Sequence, residues 1–410
     1  MTSTASAAPP AKSPMAGMSP QERRSSMTLA SIYGLRMLGL FLILPVFAIY
    51  TRELPGGDNH ALVGLALGIY GLTQAMLQIP FGIASDRFGR KPVMMLGLLI
   101  FAIGSFMAGG SRTLTGIIIG RAVQGAGAIS AAISAMIADS TRDEHRTKAM
   151  AIVGMTIGMS FLASLIAAPL LYHVIGVPGM FVLTGVLALV AIAVVKWIVP
   201  DAPMTHRAEE LGPRARGKDD SIFSPALLRL HFSIFVVNFT QVAMFVVVPI
   251  ALVRDAGIAV QDHWMVYLPV TLGSFLLAVP GIIWAESRGH MRKVFIAAVA
   301  LMMLTMLGFA FDYTRPVPLI GALFLFFVSF NLMEALIPSL VSRTAPPARK
   351  GLALGVYNTA QSLGLFAGGA VGGWIAKAWS SEGVFLACAA LSLVWLAVAW
   401  FIEPPPKRGR

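Results

Sequence analysis

One carboxyl group lies well inside a long apolar stretch of this 410-residue sequence, that of Glu334. A charged side chain at the centre of an apolar helix is costly, so it normally faces a cavity or a partner. Burial disfavours the charged form of a carboxyl group, as a proton carrier at neutral pH requires. We therefore predict that Glu334 binds a proton or a cation.

Two arginines, Arg36 and Arg121, also lie in apolar stretches. Each costs about 2.5–3.5 kcal/mol on insertion scales, so each is expected to face a cavity or a partner. A permanent ion pair of Glu334 with Arg36 or Arg121 would make the acid structural rather than functional. Arg121 could equally be a fixed hydrogen-bonding strut to a neighbouring helix. These alternatives stay open at the level of sequence.

Uncharged polar side chains recur in the same apolar stretches. In a central cavity they could hydrogen-bond a substrate, whereas between helices they would act as glue worth about 0.6 kcal/mol apiece. We expect about half of them to be such glue. The candidates for the substrate cavity are Gln74, Gln78, Asn238, Gln241, Asn331, Tyr357, Asn358 and Gln361.

A charged loop follows the second apolar stretch and reads Gly82-Ile-Ala-Ser-Asp86-Arg87-Phe-Gly89-Arg90-Lys-Pro. Gly82 lets two helices approach closely, and Gly89 permits a tight turn. The charges of Asp86, Arg87 and Arg90 suit ion pairs that break and re-form when a molecule changes conformation. We interpret the loop as part of a conformational latch, the alternative being a basic turn that only fixes topology.

Twelve apolar runs of about 20 residues, the length that a membrane helix needs, must position these side chains. The sequence is 57% hydrophobic and only 12% charged, with a mean hydropathy of +0.77, so lipid is its natural solvent and the lipid bilayer its first partner. The predicted runs are 29–50, 62–84, 92–110, 114–138, 149–172, 178–199, 228–253, 264–285, 293–312, 317–342, 350–376 and 383–402.

The net charge of +12 follows membrane topology rather than nucleic-acid binding. With the N-terminus in the cytoplasm, 24 of the 31 Lys and Arg residues fall in cytoplasmic segments. This bias predicts that both termini of a multi-pass membrane protein lie in the cytoplasm. Cys388 has no disulfide partner in the chain, and the histidines lack the spacing of metal ligands. We therefore predict no metal, no cofactor and no nucleic-acid partner.

The two halves of the sequence repeat one another. Pro45 and Pro249 take equivalent places in the first and seventh runs, and Asp86 and Glu286 close the second and eighth. We infer a duplicated six-helix unit, whose substrate site lies at the interface of the halves near the bilayer midplane. The predicted divisions are a disordered cytoplasmic tail (1–26), a six-helix bundle (27–199), a cytoplasmic linker (200–226), a second bundle (227–403) and a basic tail (404–410).

The loop at 82–92 resembles motif A of the major facilitator superfamily, and Gly120-Arg121-Ala-Val-Gln-Gly125 is similar to its motif B. Arg36-Met-Leu-Gly39, followed by apolar residues up to Pro45, resembles motif D of its drug:proton antiporters. With Asn331 to Pro338, these stretches resemble the YajR-like branch in particular; the chain ends at Arg410, and we expect it to lack that branch's extra C-terminal domain.

The resemblance implies an all-α integral membrane fold of twelve transmembrane helices in two six-helix bundles. It also implies that Asp86 caps the eleventh helix and pairs through Arg90 with Asp139, which completes the latch. It associates Arg121 with proton coupling, and the motif D-like stretch adds Arg36. We expect a monomer with protons and a small organic substrate as partners.

Three functions are weighed. The first is a proton-coupled exporter of amphiphilic organic compounds, and the second is an uptake symporter or uniporter for a small, even anionic, metabolite. Drug antiporters of the superfamily usually carry motif C, a run of glycines around a proline in the fifth helix. No glycines flank Pro169 here, so the motif is incomplete, which weakens the case for antiport. A membrane-embedded enzyme or sensor is the remote third, since the sequence shows no nucleophile–histidine set, paired catalytic acids or ATP-binding loop.

Overall fold

The computed structural model describes residues 17–199, 223–346 and 350–402. Within those ranges the regular structure is helical, with two short 3₁₀ turns at Thr51–Glu53 and Val260–Asp262. The α-helices are α1 (Pro20–Phe41), α2 (Leu44–Tyr50), α3 (His60–Phe88), α4 (Arg90–Gly110), α5 (Leu114–Ala126), α6 (Ser130–Ser140), α7 (Asp143–Trp197), α8 (Pro225–Arg254), α9 (His263–Ser287), α10 (Met291–Phe311), α11 (Pro316–Thr344), α12 (Lys350–Ala378) and α13 (Ser381–Trp400).

These helices make the twelve predicted crossings. In the described ranges, ten segments are long and apolar enough to cross a membrane. One of them, Ile152–Trp197, has 46 residues and holds two crossings. Gly176 divides it with a φ of 62°, a backbone conformation that glycine adopts readily. Helix α12, with 29 residues, is the remaining crossing. The fold is thus an all-α membrane fold of twelve helices.

Two crossings are each built from two helices that meet at a break. Helix α1 ends at Phe41 and α2 starts at Leu44, with Pro45 in the first turn of α2. Proline is tolerated at that position, because its missing N–H would be unpaired in any case. The fourth crossing is similarly divided between α5 and α6 near Gly127.

Helix α1 begins at Pro20, inside the segment 1–26 that the sequence predicted to be disordered. The side chain of Ser19 accepts from the backbone N–H of Glu22, and the Glu22 carboxylate accepts from the backbone N–H of Ser19. This capping box satisfies two backbone donors and extends the helix into the polar segment. The prediction for residues 20–26 was therefore wrong. The rest of the predicted tail up to residue 16, most of the linker (200–222) and the basic tail (404–410) lie outside the described residues.

The halves meet along α3 and α12, where glycine backbones face each other. We call Gly64, Gly68, Gly369 and Gly373 the glycine seam. A Cβ atom on any of Gly64, Gly68 or Gly369 would collide with the backbone of the opposite helix. Such small residues let two membrane helices approach at backbone distance. The seam lies in the half of α3 that is remote from the loop at 82–92.

An aromatic cluster adds a second contact between the halves. The ring centroid of Phe161 on α7 lies 4.9 Å from that of Phe41 on α1. It also lies 5.9 Å from the ring of Phe327 and 5.4 Å from that of Phe330, both on α11. Aromatic pairs at such distances each add about 0.5–1.5 kcal/mol beyond the area that they bury. Phe330 is one helical turn before Glu334 on α11.

Candidate functional site

Glu334 projects from α11 towards α8 of the same half. Its Oε1 atom accepts a hydrogen bond of 3.2 Å from Nδ2 of Asn238, a side chain that is itself buried. Tyr33 of α1 and Tyr357 of α12 lie within electrostatic reach of the carboxyl group. In the described residues, Glu334 forms no ion pair with Arg36 or Arg121. The carboxyl group therefore has a neutral donor where a structural ion pair would place a cation.

Arg121 is held as a strut between two helices of the first half. Its Nε atom donates to the carbonyl oxygen of Ala66 at 3.2 Å, and Nη2 donates to that of Leu67 at 3.1 Å. Its Nη1 atom donates to Gln124, whose amide in turn donates to Ser105. Arg121 is fully buried, so these acceptors replace water around its charge. The arrangement is the fixed strut that the sequence left open.

Arg36 is buried as deeply but is less well satisfied. Its Nη1 atom donates to Oγ of Ser130 at 3.1 Å. Its guanidinium carbon lies 5.6 Å from the ring centroid of Tyr70, and Arg121 approaches the same ring at 5.3 Å. Two buried cations thus share one aromatic ring, whose face attracts positive charge.

The uncharged candidates divide into two groups. Asn238 and Asn331 are occupied: Asn238 binds Glu334, and Nδ2 of Asn331 donates to Ser274 of α9 at 2.9 Å. Gln74, Gln78 and Gln241 are buried with polar atoms that lack partners among the described residues. Tyr357 is buried beside Glu334, and Asn358 and Gln361 are half-buried on α12. Asn331 is thus interhelical glue, whereas the glutamines have free hydrogen-bonding capacity.

The charged loop brings most of the predicted latch together. Arg90 pairs with Asp86 and, through Nε at 3.0 Å, with Oδ2 of Asp139 at the end of α6. Gly89 has a φ of 93°, so its turn favours glycine. Gly82 faces Ala131 across a close helix contact, and Arg87 lies over the ring of Phe88. The predicted cap of the eleventh helix by Asp86 lies partly outside the described residues, because α12 is preceded by 347–349.

Three contributors to these sites carry little signal in the sequence. Ser85 accepts from Nη1 of Arg90 at 2.7 Å and orients it, and Ser130 does the same for Arg36. Phe161 joins the two halves through its contacts with Phe327 and Phe330. Serines and phenylalanines abound in the apolar runs, so only the folded contacts distinguish these three.

Two six-helix units with buried ionisable residues between them define a membrane transporter rather than an enzyme. The chain matches the family model described as Major Facilitator Superfamily over residues 29–367 and 230–410, and it belongs to that superfamily.

Among named proteins, the chain is similar to the inner membrane transport protein YajR of Escherichia coli (strain K12). The two are 43% identical over 390 residues, which cover 95% of this chain and 85% of that protein. A shorter similarity, 33% identity over 156 residues, relates 38% of this chain to 39% of the tetracycline resistance protein, class G, of Vibrio anguillarum.

The fold also has a solved counterpart. A bacterial homologue of the human lysosomal transporter Spinster, in an inward-facing and occupied conformation, superposes with a TM-score of 0.72. The match covers 94% of this chain and 97% of that one at 14% identity, so it establishes the fold alone.

Proposed function

We propose that the protein exports a small organic compound by exchanging it for protons, with Glu334 as the proton-binding residue. The observation that carries the proposal is that Glu334 is held by the neutral amide of Asn238 and forms no ion pair among the described residues. A carboxyl group without a fixed cation can gain and lose a proton as its surroundings change. The partial relative named for tetracycline resistance favours export, because resistance follows from removal of the compound.

Alternating access follows from the duplicated architecture. Sites at the interface of two repeats are exposed to one side at a time as the bundles rock against each other. The glycine seam and the aromatic cluster join the halves, and the Arg90–Asp139 pair lies beside the charged loop, at the end of α3 remote from the seam. Protonation of Glu334 removes its charge and so changes which arrangement is favoured. Arg121 supplies a fixed positive charge to the same interior, and Arg36 a second one.

The proposed setting is a bacterial inner membrane, with both termini in the cytoplasm and the protein acting as a monomer. The asymmetric distribution of Lys and Arg supports this topology. The relationship to YajR, named as an inner membrane protein, supports the location.

Proteoliposomes with a pH-sensitive dye in the lumen test the proposal. After a pH gradient is imposed, tetracycline and a panel of amphiphilic compounds are added, and the lumenal pH is followed. We expect a transported compound to discharge the gradient by exchange, and Glu334→Gln to abolish this flux without unfolding the protein. Glu382→Gln, which alters an exposed acid in the first turn of α13, is the matched control.

Two results would count against the proposal. Unchanged driven flux in Glu334→Gln would show that another group couples transport to protons. Movement of the compound in the same direction as the protons would replace export by uptake through symport.

A further inference from the structure

Arg36 has an incomplete set of partners for a buried cation. Its side chain is 2% exposed, and within the described ranges it forms no ion pair. Among the residues that the structure describes, only Nη1 has an acceptor, Ser130, whereas Nε and Nη2 have none. A buried charge without a counter-charge is strongly destabilising, so proteins keep one mainly where it has a use.

The two free donors of Arg36 form a recognisable edge. Nε–H and Nη2–H lie in the guanidinium plane and project in parallel from one edge of the group. That spacing matches the two oxygens of a carboxylate or two oxygens of a phosphate, which bind such an edge with two hydrogen bonds. Ser130 occupies Nη1, away from this edge, and therefore fixes the plane without using the fork.

The surroundings of this edge also favour a negative group. Arg121, whose own donors are satisfied, adds a second positive charge beside the ring of Tyr70. In the described part of the chain, the hydroxyl of Tyr70 has no hydrogen-bond partner, and neither does the amide of Gln78, eight residues further along α3. Residues seven or eight apart lie close to one face of a helix, so these two side chains share a face of α3.

Tyr33 connects this region with the acid. It lies one turn before Arg36 on α1, and it is within electrostatic reach of both Arg36 and Glu334. Arg36 in the first half and Glu334 in the second therefore both lie within electrostatic reach of one side chain, that of Tyr33. They remain separate, because Glu334 is bonded to Asn238 and not to Arg36.

We infer that Arg36 binds an oxyanion group of the transported compound. The substrates are then amphiphilic organic compounds that carry a carboxylate or a similar oxyanion, and this group supplies the counter-charge that Arg36 lacks among the described residues. This inference rests on the proposed function, because it assigns a substrate class to the same interior pathway.

Matched probes that differ only in charge test it. The purified full-length chain in detergent is heated with 2-naphthoate or with its neutral analogue 2-naphthamide, and unfolding is followed. We expect 2-naphthoate to raise the midpoint temperature of unfolding and 2-naphthamide to leave that temperature unchanged. Arg36→Gln should abolish this preference. Arg36→Lys keeps the charge but loses the fork, and should bind the carboxylate at least about tenfold more weakly.

A second measurement separates binding from a structural role. Without ligand, Arg36→Gln should unfold at a higher temperature than the native protein, since it removes an uncompensated charge. Arg112→Gln, which makes the same change at an exposed residue in the turn between α4 and α5, should alter neither the midpoint nor the preference. A lower midpoint for Arg36→Gln together with a retained preference for the carboxylate would overturn the inference. Equal responses of the native protein to both probes would also overturn it.

The assay uses no gradient, so its failure differs from failure of the proposed function. Carboxylate preference lost in Arg36→Gln, together with normal driven flux in Glu334→Gln, would retain the oxyanion site and refute proton coupling through Glu334. The reverse pair of results would retain proton coupling and refute the oxyanion site.

Discussion

Arg90 and Asp139 form an ion pair that joins the start of α4 to the end of α6, with Nε 3.0 Å from Oδ2. Both side chains are 20% exposed, and Arg90 also contacts Asp86 and Ser85. One guanidinium therefore bridges three helices at the end of the first bundle that carries the charged loop. This bridge is a feature of the structure, and its opening and closing during transport stays a prediction.

Asp139→Asn tests the latch. A partly exposed ion pair contributes at most about 1 kcal/mol to stability, so the free energy of unfolding should fall only slightly. If the pair must form in one state of the cycle, transport should fall several-fold while the protein stays folded. Flux and thermal midpoint are compared with those of Lys377→Ala, which removes an exposed charge at the end of α12. Equal loss of stability and flux would mark the pair as merely structural.

The glycine seam makes a sharper prediction about stability. A methyl group in Gly369→Ala would meet the backbone of Gly64 and Gly68, and such overpacking typically costs about 1–3 kcal/mol. Gly355→Ala lies on the same helix with open space around it, and should be neutral or slightly stabilising. Denaturation of both variants in detergent measures the difference. Two equally stable variants would show that the halves do not meet at this seam.

Glu22 should be important for stability although it lies in a polar segment. Its carboxylate accepts from the backbone N and Nε of Arg142 at 3.0 and 2.9 Å, besides capping α1. We expect Glu22→Ala to cost about 1–2 kcal/mol, since it removes a helix cap and charged hydrogen bonds. Glu382→Ala is the control, because that acid only interacts favourably with the positive end of the helix dipole of α13, and its loss should cost about 0.3–1 kcal/mol. Thermal midpoints of the two variants decide the matter.

The crossings were predictable because hydropathy and length carry most of the information on a membrane helix. The break between the fifth and sixth runs was predicted at 173–177, and Gly176 lies there. The start of α1 was missed although Ser19-Pro-Gln-Glu22 has the spacing of a capping box. Hydropathy does not register the hydrogen bonds of a helix cap, and for this reason the start of α1 was predicted too late.

The partners of the buried charges were less predictable than the charges themselves. The sequence indicates that Arg121 needs partners, but the carbonyl oxygens of Ala66 and Leu67 have no side-chain signature. The pairing of Glu22 with Arg142 spans 120 residues, and no local pattern contains it. Asn331 was predicted to face substrate, and only packing against Ser274 reveals its structural bond. Contacts between distant segments thus distinguish side chains that could bind a substrate from those that only hydrogen-bond another helix.

The single non-helical residue at Gly176 has a practical consequence. Because no loop separates them, the fifth and sixth crossings are joined directly at Gly176 and must move together when the bundle moves. An epitope or fluorescent label inserted there would push two membrane helices apart, whereas the longer connection between α2 and α3, residues 51–59, has room for it.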